Sequence, residues 1–224
     1  MPKIADNLTQ VRRLIQQSAS EAGRNPSSIT LLAVSKSKTA ADIEAAYLAG
    51  QRDFGENYVQ EAIEKIAQLP HADIVWHFIG PIQSNKSRMI AENFSWVHTL
   101  DRLKVAERLN QQRPANLPPL QVCIQVNIDA DHSKSGCLPT ETAVLGEAIR
   151  RLPRLHLRGL MTIPKEGSGS KPFHQLAELA HSLRQGGLTM DTLSMGMSAD
   201  YVQAILEGST LVRVGSSLFG ARVY

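Results

Sequence analysis

Two hydrophobic periods alternate along this chain. Short apolar runs of strand length lie at Thr30–Lys36, Asp53–Asn57, Ile74–Gly80, Trp96–Leu100, Leu120–Ile128, Leu157–Ile163, Thr192–Met197 and Leu211–Val214. Between them stand segments whose apolar residues recur at helical spacing. "AADIEAAYLAG" is ended by Gly50, "YVQEAIEKIAQL" is stopped by Pro70, and "DRLKVAERLNQQ" has Asp101 placed to cap its start. "TETAVLGEAIRRL" and "PFHQLAELAHSLRQGG" follow, the second closed by a glycine pair. "SADYVQAILEG" is the last, with Ser198 as its expected N-cap. Ahead of the first strand, Ile4, Leu8, Val11 and Ile15 mark one more amphipathic helix.

Strand alternating with helix predicts a parallel sheet. Eight such beats in 224 residues predict an α/β protein, a closed (β/α)8 (TIM) barrel at the small end of its size range. It carries an extra N-terminal helix and forms one domain over residues 1–224. An open doubly wound sheet is the rival. It would usually place a glycine fingerprint or a nucleotide motif after its first strand, and "SKSKTAAD" has neither. "PKEGSGSKP" (Pro164 to Pro172) is a polar, Gly/Ser-rich loop.

Composition narrows the partners. The net charge is only +3, with no basic block or basic–aromatic stripe, which argues against nucleic acid. Cys123 and Cys137 stand far apart in no metal or redox motif, as expected of a reduced, cytoplasmic chain. "MPKIADNLTQVRRLIQQ" has helical spacing where a signal peptide has an apolar segment, and no run reaches membrane-spanning length. The histidines are scattered without HExxH spacing, so no metal is expected. Asp42, Glu44, Glu61 and Glu64 read as solvated helix faces. No long exposed apolar stripe is evident, which predicts a monomer.

Active sites of such barrels form at the C-terminal ends of the strands. Those ends carry Lys36, Asn57, His77 in "WHFIG", Asn127, Met161 and Thr162, then "SMGMSAD" and "RVGSS". Phosphate sites favour the loops after strands seven and eight, and both loops here are built of small residues. Each signal has a plain structural alternative. Small residues after a strand are ordinary turn residues. Lys36 can pair with a carboxylate, Arg213 can sit in an interior ion pair, and His77 can be a satisfied core histidine. Together they narrow the options. A lysine desolvated at the end of an apolar strand is a nucleophile toward aldehydes and forms a Schiff base. A phosphorylated aldehyde would satisfy the lysine, the small-residue cradle and the arginine at once.

The motifs "LLAVSKSK", "FGENYVQE", "WHFIGPIQSNK", "LRGLMTI", "LSMGMSADYVQAI" and "VRVGSSLFGAR" closely resemble the single-domain pyridoxal phosphate homeostasis family, formerly described as the proline synthetase co-transcribed family. The resemblance implies a barrel like the N-terminal domain of alanine racemase, with pyridoxal 5'-phosphate (PLP) as cofactor. It implies that Lys36 in "AVSK" carries PLP as a Schiff base and that Asn57 in "FGEN" lines the pocket. Ser198 in "GMS", with Gly215 and Ser216 in "VGSS", would hold the phosphate, and Arg213 in "VRVG" would face the pyridine nitrogen. Members often have threonine at the position of Ser216, and a hydroxyl is kept here. "DHSKSG" (Asp131 to Gly136) shares the resemblance without a chemical role that its residues suggest.

The resemblance also implies a role in vitamin B6 homeostasis and amino-acid balance, with PLP handed to apo PLP-dependent enzymes and no turnover of the chain's own. The alternative is an amino-acid racemase. Racemisation needs an acid/base group on each face of the reacting carbon, and Lys36 can serve one. In racemases a tyrosine of an additional C-terminal domain serves the other. Here Tyr224 follows closely on the eighth strand, and Tyr47, Tyr58 and Tyr201 fall in expected helices. An arginine only donates hydrogen bonds, so Arg213 would keep the ring nitrogen unprotonated and the ring a weak electron sink. A carrier is therefore expected ahead of a racemase. A Schiff-base aldolase acting on a sugar phosphate fits the barrel but not the motifs.

Overall fold

In the computed structural model, which describes residues 4–131 and 133–220, eight parallel strands close on themselves in chain order. They are β1 (Thr30–Val34), β2 (Asp53–Glu56), β3 (Val75–Phe78), β4 (Trp96–Leu100), β5 (Leu120–Gln125), β6 (Leu155–Met161), β7 (Thr192–Met197) and β8 (Leu211–Val214). Closure is made by β1 on β8, in register from Thr30 opposite Leu211 to Ala33 opposite Val214. All eight expected strands are present. Several ladders stop earlier than the apolar runs that announced them, because residues just past a strand still pack inward. Lys36 and Asn57 consequently stand in loops, immediately beyond β1 and β2.

The helices are α1 (Ile4–Glu21), α2 (Ala40–Leu48), α3 (Val59–Gln68), α4 (Ser87–Asn93), α5 (Leu103–Gln112), α6 (Thr142–Arg150), α7 (Lys171–Gln185), α8 (Tyr201–Leu206) and α9 (Ser216–Phe219). Helix α4 was not expected. It is short, has no side-chain cap, and offers too few turns for a period to show. Helix α1 buries Ile4, Leu8, Val11 and Ile15 against α2, α8 and α9. Asn7 Nδ2 donates to the Leu218 carbonyl at 2.9 Å, and Arg24 donates to the Ile205 carbonyl at 2.8 Å. The added helix thus straps the seam where the last βα unit meets the first. Among the described residues no helix is long and apolar enough to cross a membrane.

Two caps differ from expectation. The N-cap of α5 is Arg102, not Asp101; the two side chains pair with each other at 3.0 Å. Helix α8 starts at Tyr201 behind Asp200, and the Asp200 carboxylate accepts from the Met197 N–H at 2.6 Å. Ser198 therefore does not cap α8, and its hydroxyl is left for other use.

Two layers of the barrel differ in polarity. Outside the strands, Ile43, Ile90, Leu109, Ile149, Leu176 and Ile205 on the helices are fully or almost fully buried, each contributing roughly 1.5–3 kcal/mol. Inside, the buried side chains of His77 and His98 on β3 and β4 meet those of Ser194 and Arg213 on β7 and β8, and the His98–Ser194 contact crosses the barrel between strands that are not neighbours in the sheet. The interior below the site is accordingly a hydrogen-bonded column and not an apolar plug.

Candidate functional site

At the C-terminal ends of the strands lies a cavity of about 350 Å³. Lys36, Asn57, Ser198, Arg213, Gly215 and Ser216 all line it. They arrive from the ends of β1, β2, β7 and β8, so barrel closure is what assembles them.

The backbone on both sides of Lys36 is clamped. Ser35 is buried and donates its hydroxyl to Glu56 Oε1 at 2.6 Å. The Ser35 carbonyl accepts from Lys65 Nζ at 2.8 Å. Ser37, at φ 60°, donates its N–H to Glu61 Oε1 at 2.6 Å. Lys65 joins these contacts, bonding Glu56 at 2.8 Å and Glu61 at 2.5 Å. Burial pushes the Glu56 carboxyl up, and the Lys65 ammonium and Ser35 hydroxyl act against that rise. The expectation that Glu61 belongs to a solvated face was wrong: the i, i+4 pairing with Lys65 turns it inward. That spacing after "FGEN" was the available signal.

Asn57 is placed by close packing. Its Oδ1 is buried and has no hydrogen-bond partner. An acceptor desolvated without a partner costs about 1–3 kcal/mol, and here it belongs to a residue that lines a cavity.

Across the cavity, the Gly215 N–H donates to Ser198 Oγ at 3.2 Å. A Cβ on Gly215 would touch Val34 at 3.4 Å, so β8 passes close against β1 here. Ser216 opens α9, where an N–H has no intrahelical acceptor. The Ser198 and Ser216 hydroxyls and the N–H at the start of α9 gather polar hydrogens on one wall.

Arg213 is 3 % exposed. Its Nη1 donates to the Ser194 carbonyl at 2.6 Å and to Ser194 Oγ at 2.7 Å, and its Nη2 donates to the Thr162 carbonyl at 2.9 Å. Of the five N–H groups a guanidinium carries, two remain. Among the described residues no carboxylate lies within ion-pair distance, so the interior ion pair is not what holds it. Burial draws its pKa down to about 10, with Asp200 acting in the other direction. It remains a charged donor at neutral pH.

The other candidates are dispersed. His77 is buried, with Nδ1 at 2.9 Å from His98 Nε2 and Nε2 at 3.0 Å from Asp53 Oδ1. Asn127 holds its own loop, donating to the Asp131 carbonyl at 2.9 Å. From the same loop Lys134 Nζ donates to the carbonyl of Ile163, a residue of the cavity rim, at 3.1 Å. Tyr47 donates to Asp73 at 2.7 Å, Tyr201 is buried at the start of α8 and Tyr58 is exposed. His132 and Tyr224 lie outside the described residues, as do the last two residues of "VRVGSSLFGAR". Among the described residues no group of His, Cys, Asp and Glu could hold a metal ion. Cys123 and Cys137 are unpaired thiols, and burial pushes Cys123 up to about 12.

The family described as alanine racemase, N-terminal domain, matches residues 3–223. The pyridoxal phosphate homeostasis protein of Pseudomonas aeruginosa is 54% identical over 225 residues, spanning 100% of this chain and 98% of that one. PipY of Synechococcus elongatus, solved with PLP bound, is similar at TM-score 0.84 and 37% identity, covering 97% of this chain and 100% of that one. Alanine racemase from Corynebacterium glutamicum shares the fold at TM-score 0.72 and 16% identity, covering 96% of this chain and 59% of the racemase.

Proposed function

The chain belongs to the alanine racemase N-terminal domain family, and from that membership we propose that it is a PLP-binding homeostasis protein, a single barrel domain over residues 1–224. It holds PLP in the cavity at the strand ends and releases it to apo PLP-dependent enzymes, acting as a monomer in the cytoplasm. The observation that carries this reading is the convergence of Lys36, the partnerless Asn57 Oδ1 and the two spare Arg213 donors on one cavity of about 350 Å³. The Pseudomonas aeruginosa relative bears the homeostasis name, and the Synechococcus elongatus neighbour was solved with PLP.

PLP, when bound, supplies an aldehyde that an amine captures and a ring that can draw electrons. Lys36 provides the amine, on a backbone fixed by Lys65, Glu56 and Glu61. Ser198 and Ser216 provide hydrogen-bond donors for a phosphate, beside Gly215, whose N–H is engaged by Ser198 Oγ. Asn57 would line the pocket beside the ligand. Arg213 donates toward the pyridine nitrogen and leaves no proton there, because a guanidinium has none to give up at neutral pH. A ring held in that state is a poor electron sink, which favours storage and transfer over carbanion chemistry.

The test is a visible spectrum of the purified protein, hydride reduction, and mapping of the labelled peptide. The expected label is on the peptide containing Lys36. Label found only elsewhere, on Lys38 for example, overturns the assignment. Alpha-proton exchange with L-alanine in deuterated water separates carrier from racemase. Trace exchange is expected, and turnover of about one per second or faster, within the usual enzyme range, would put the racemase first.

A further inference from the structure

Beneath the cavity, five side chains from five strands form one unbroken line of hydrogen bonds. Arg213 Nη1 lies 2.7 Å from Ser194 Oγ, and Ser194 Oγ lies 2.8 Å from His98 Nδ1. His98 Nε2 is 2.9 Å from His77 Nδ1, and His77 Nε2 is 3.0 Å from Asp53 Oδ1. The three interior members, Ser194, His98 and His77, are 0%, 0% and 1% exposed.

With both imidazoles neutral, the direction of every proton in this line follows from its lower end. The Asp53 carboxylate only accepts, so His77 carries its proton on Nε2 and donates to it. His77 Nδ1 is then an acceptor, and His98 donates to it from Nε2. His98 Nδ1 accepts in turn, so the Ser194 hydroxyl gives it its hydrogen while the Ser194 oxygen accepts from Arg213. The two imidazoles share one tautomer. Burial holds both histidines below the usual value, and at His98 the proximity of His77 and of the Arg213 charge adds to that effect.

The lower end opens on a second cavity, of about 280 Å³, at the N-terminal ends of the strands. Asp53, His77, Trp96, Arg158 and Asp191 are among the residues that line it. Arg158 is bound to Asp191 at 2.5 Å and lies 4.8 Å over the Trp96 ring. That leaves the Asp53 carboxylate to His77. A buried guanidinium at one mouth of the barrel is thereby joined to a carboxylate at the other, with no direct ion pair between them.

We propose that Ser194, His98, His77 and Asp53 are positioning residues for Arg213: a polarised relay that orients the guanidinium and sets how strongly its spare donors bind the ring nitrogen of PLP. This rests on the reading that Arg213 faces that nitrogen. The relay withdraws positive charge toward Asp53. Cutting it concentrates the charge on Arg213, whose bonds to the Ser194 and Thr162 carbonyls remain.

Two measurements test the relay separately from that reading. Nitrogen-15 histidine spectra of PLP-free protein at pH 7 should show His77 and His98 both neutral with the proton on Nε2. An Nδ1–H tautomer or a charged ring at either position overturns the relay. In PLP-bound protein, Ser194→Ala and Asp53→Asn should each move the nitrogen-15 shift of the ring and weaken PLP binding about three- to tenfold. Arg213→Lys is the reference. If it moves the ring shift while Ser194→Ala and Asp53→Asn do not, the relay fails and the facing of Arg213 stands. If Arg213→Lys leaves the ring shift unchanged, the facing fails and the relay loses its purpose.

Discussion

A Cβ on Gly80 would sit 2.0 Å from the carbonyl oxygen of Asn57. The loops after β2 and β3 pack backbone on backbone, and Thr99 Oγ1 locks the contact from beyond by donating to the Gly80 carbonyl at 2.6 Å. Gly80→Ala must push the Asn57 backbone away. Overpacking of this kind costs roughly 1–3 kcal/mol. We expect that loss in urea unfolding, together with weaker PLP binding in titration. Unchanged affinity would show that Asn57 does not touch the ligand.

Lys65→Met removes the ammonium that Glu56, Glu61 and the Ser35 carbonyl share. Breaking a buried pair by removing one partner costs roughly 3–5 kcal/mol. With the clamp gone, the segment around Lys36 loosens, and capture of added PLP should slow in stopped-flow absorbance. Adding Glu56→Gln removes the stranded charge and should recover stability without recovering the capture rate. Recovery of both would mean the cluster serves stability alone.

The phosphate should dominate affinity. Charge-assisted hydrogen bonds contribute roughly 1.5–3 kcal/mol each, and two or three of them amount to about two or more powers of ten. Pyridoxal should bind that much more weakly than PLP. Ser198→Ala should weaken PLP about tenfold and leave pyridoxal unaffected. Equal losses for both ligands would take Ser198 out of the phosphate wall.

Acid should destabilise the barrel through its interior histidines. Burial depresses His77 and His98, and Asp53 pulls His77 partly back up. As pH falls below the usual histidine value of about 6.5, the unfolded chain takes up protons before the folded one does. Stability is therefore full above that value. It declines below it by up to about 1.4 kcal/mol per pH unit for each histidine, until the folded-state values are reached. Unfolding curves at pH 7, 6 and 5 measure the decline. His98→Gln should flatten it, and an unaltered slope would place its source elsewhere.

Strand order and helix order were legible because each βα unit repeats a local period, and local period is written in consecutive residues. The lysine, the small-residue loops and Arg213 were legible because each ends a strand or follows one. What lay hidden needed the closed sheet. "VWHF" and "SWVHTL" place His77 and His98 on neighbouring strands, yet only the stagger of a barrel decides that their rings touch each other and Ser194. Glu61 was misread because an acidic residue on a helix is usually solvated; the loop it turns toward comes from the preceding unit. Ser198 was misread as a cap because α8 begins two residues later than its pattern suggests, behind Asp200, whose carboxylate turns back to the Met197 N–H.

The pairing of β1 with β8 has a consequence for when the protein can begin its work. Residues at the ends of the first two strands and the last two line the cavity together, so a chain lacking either pair cannot form it. A nascent chain leaving the ribosome has Lys36 early and the Gly215 wall only at the end. A chain truncated before β8 should therefore be unable to sequester cofactor however well its first units fold.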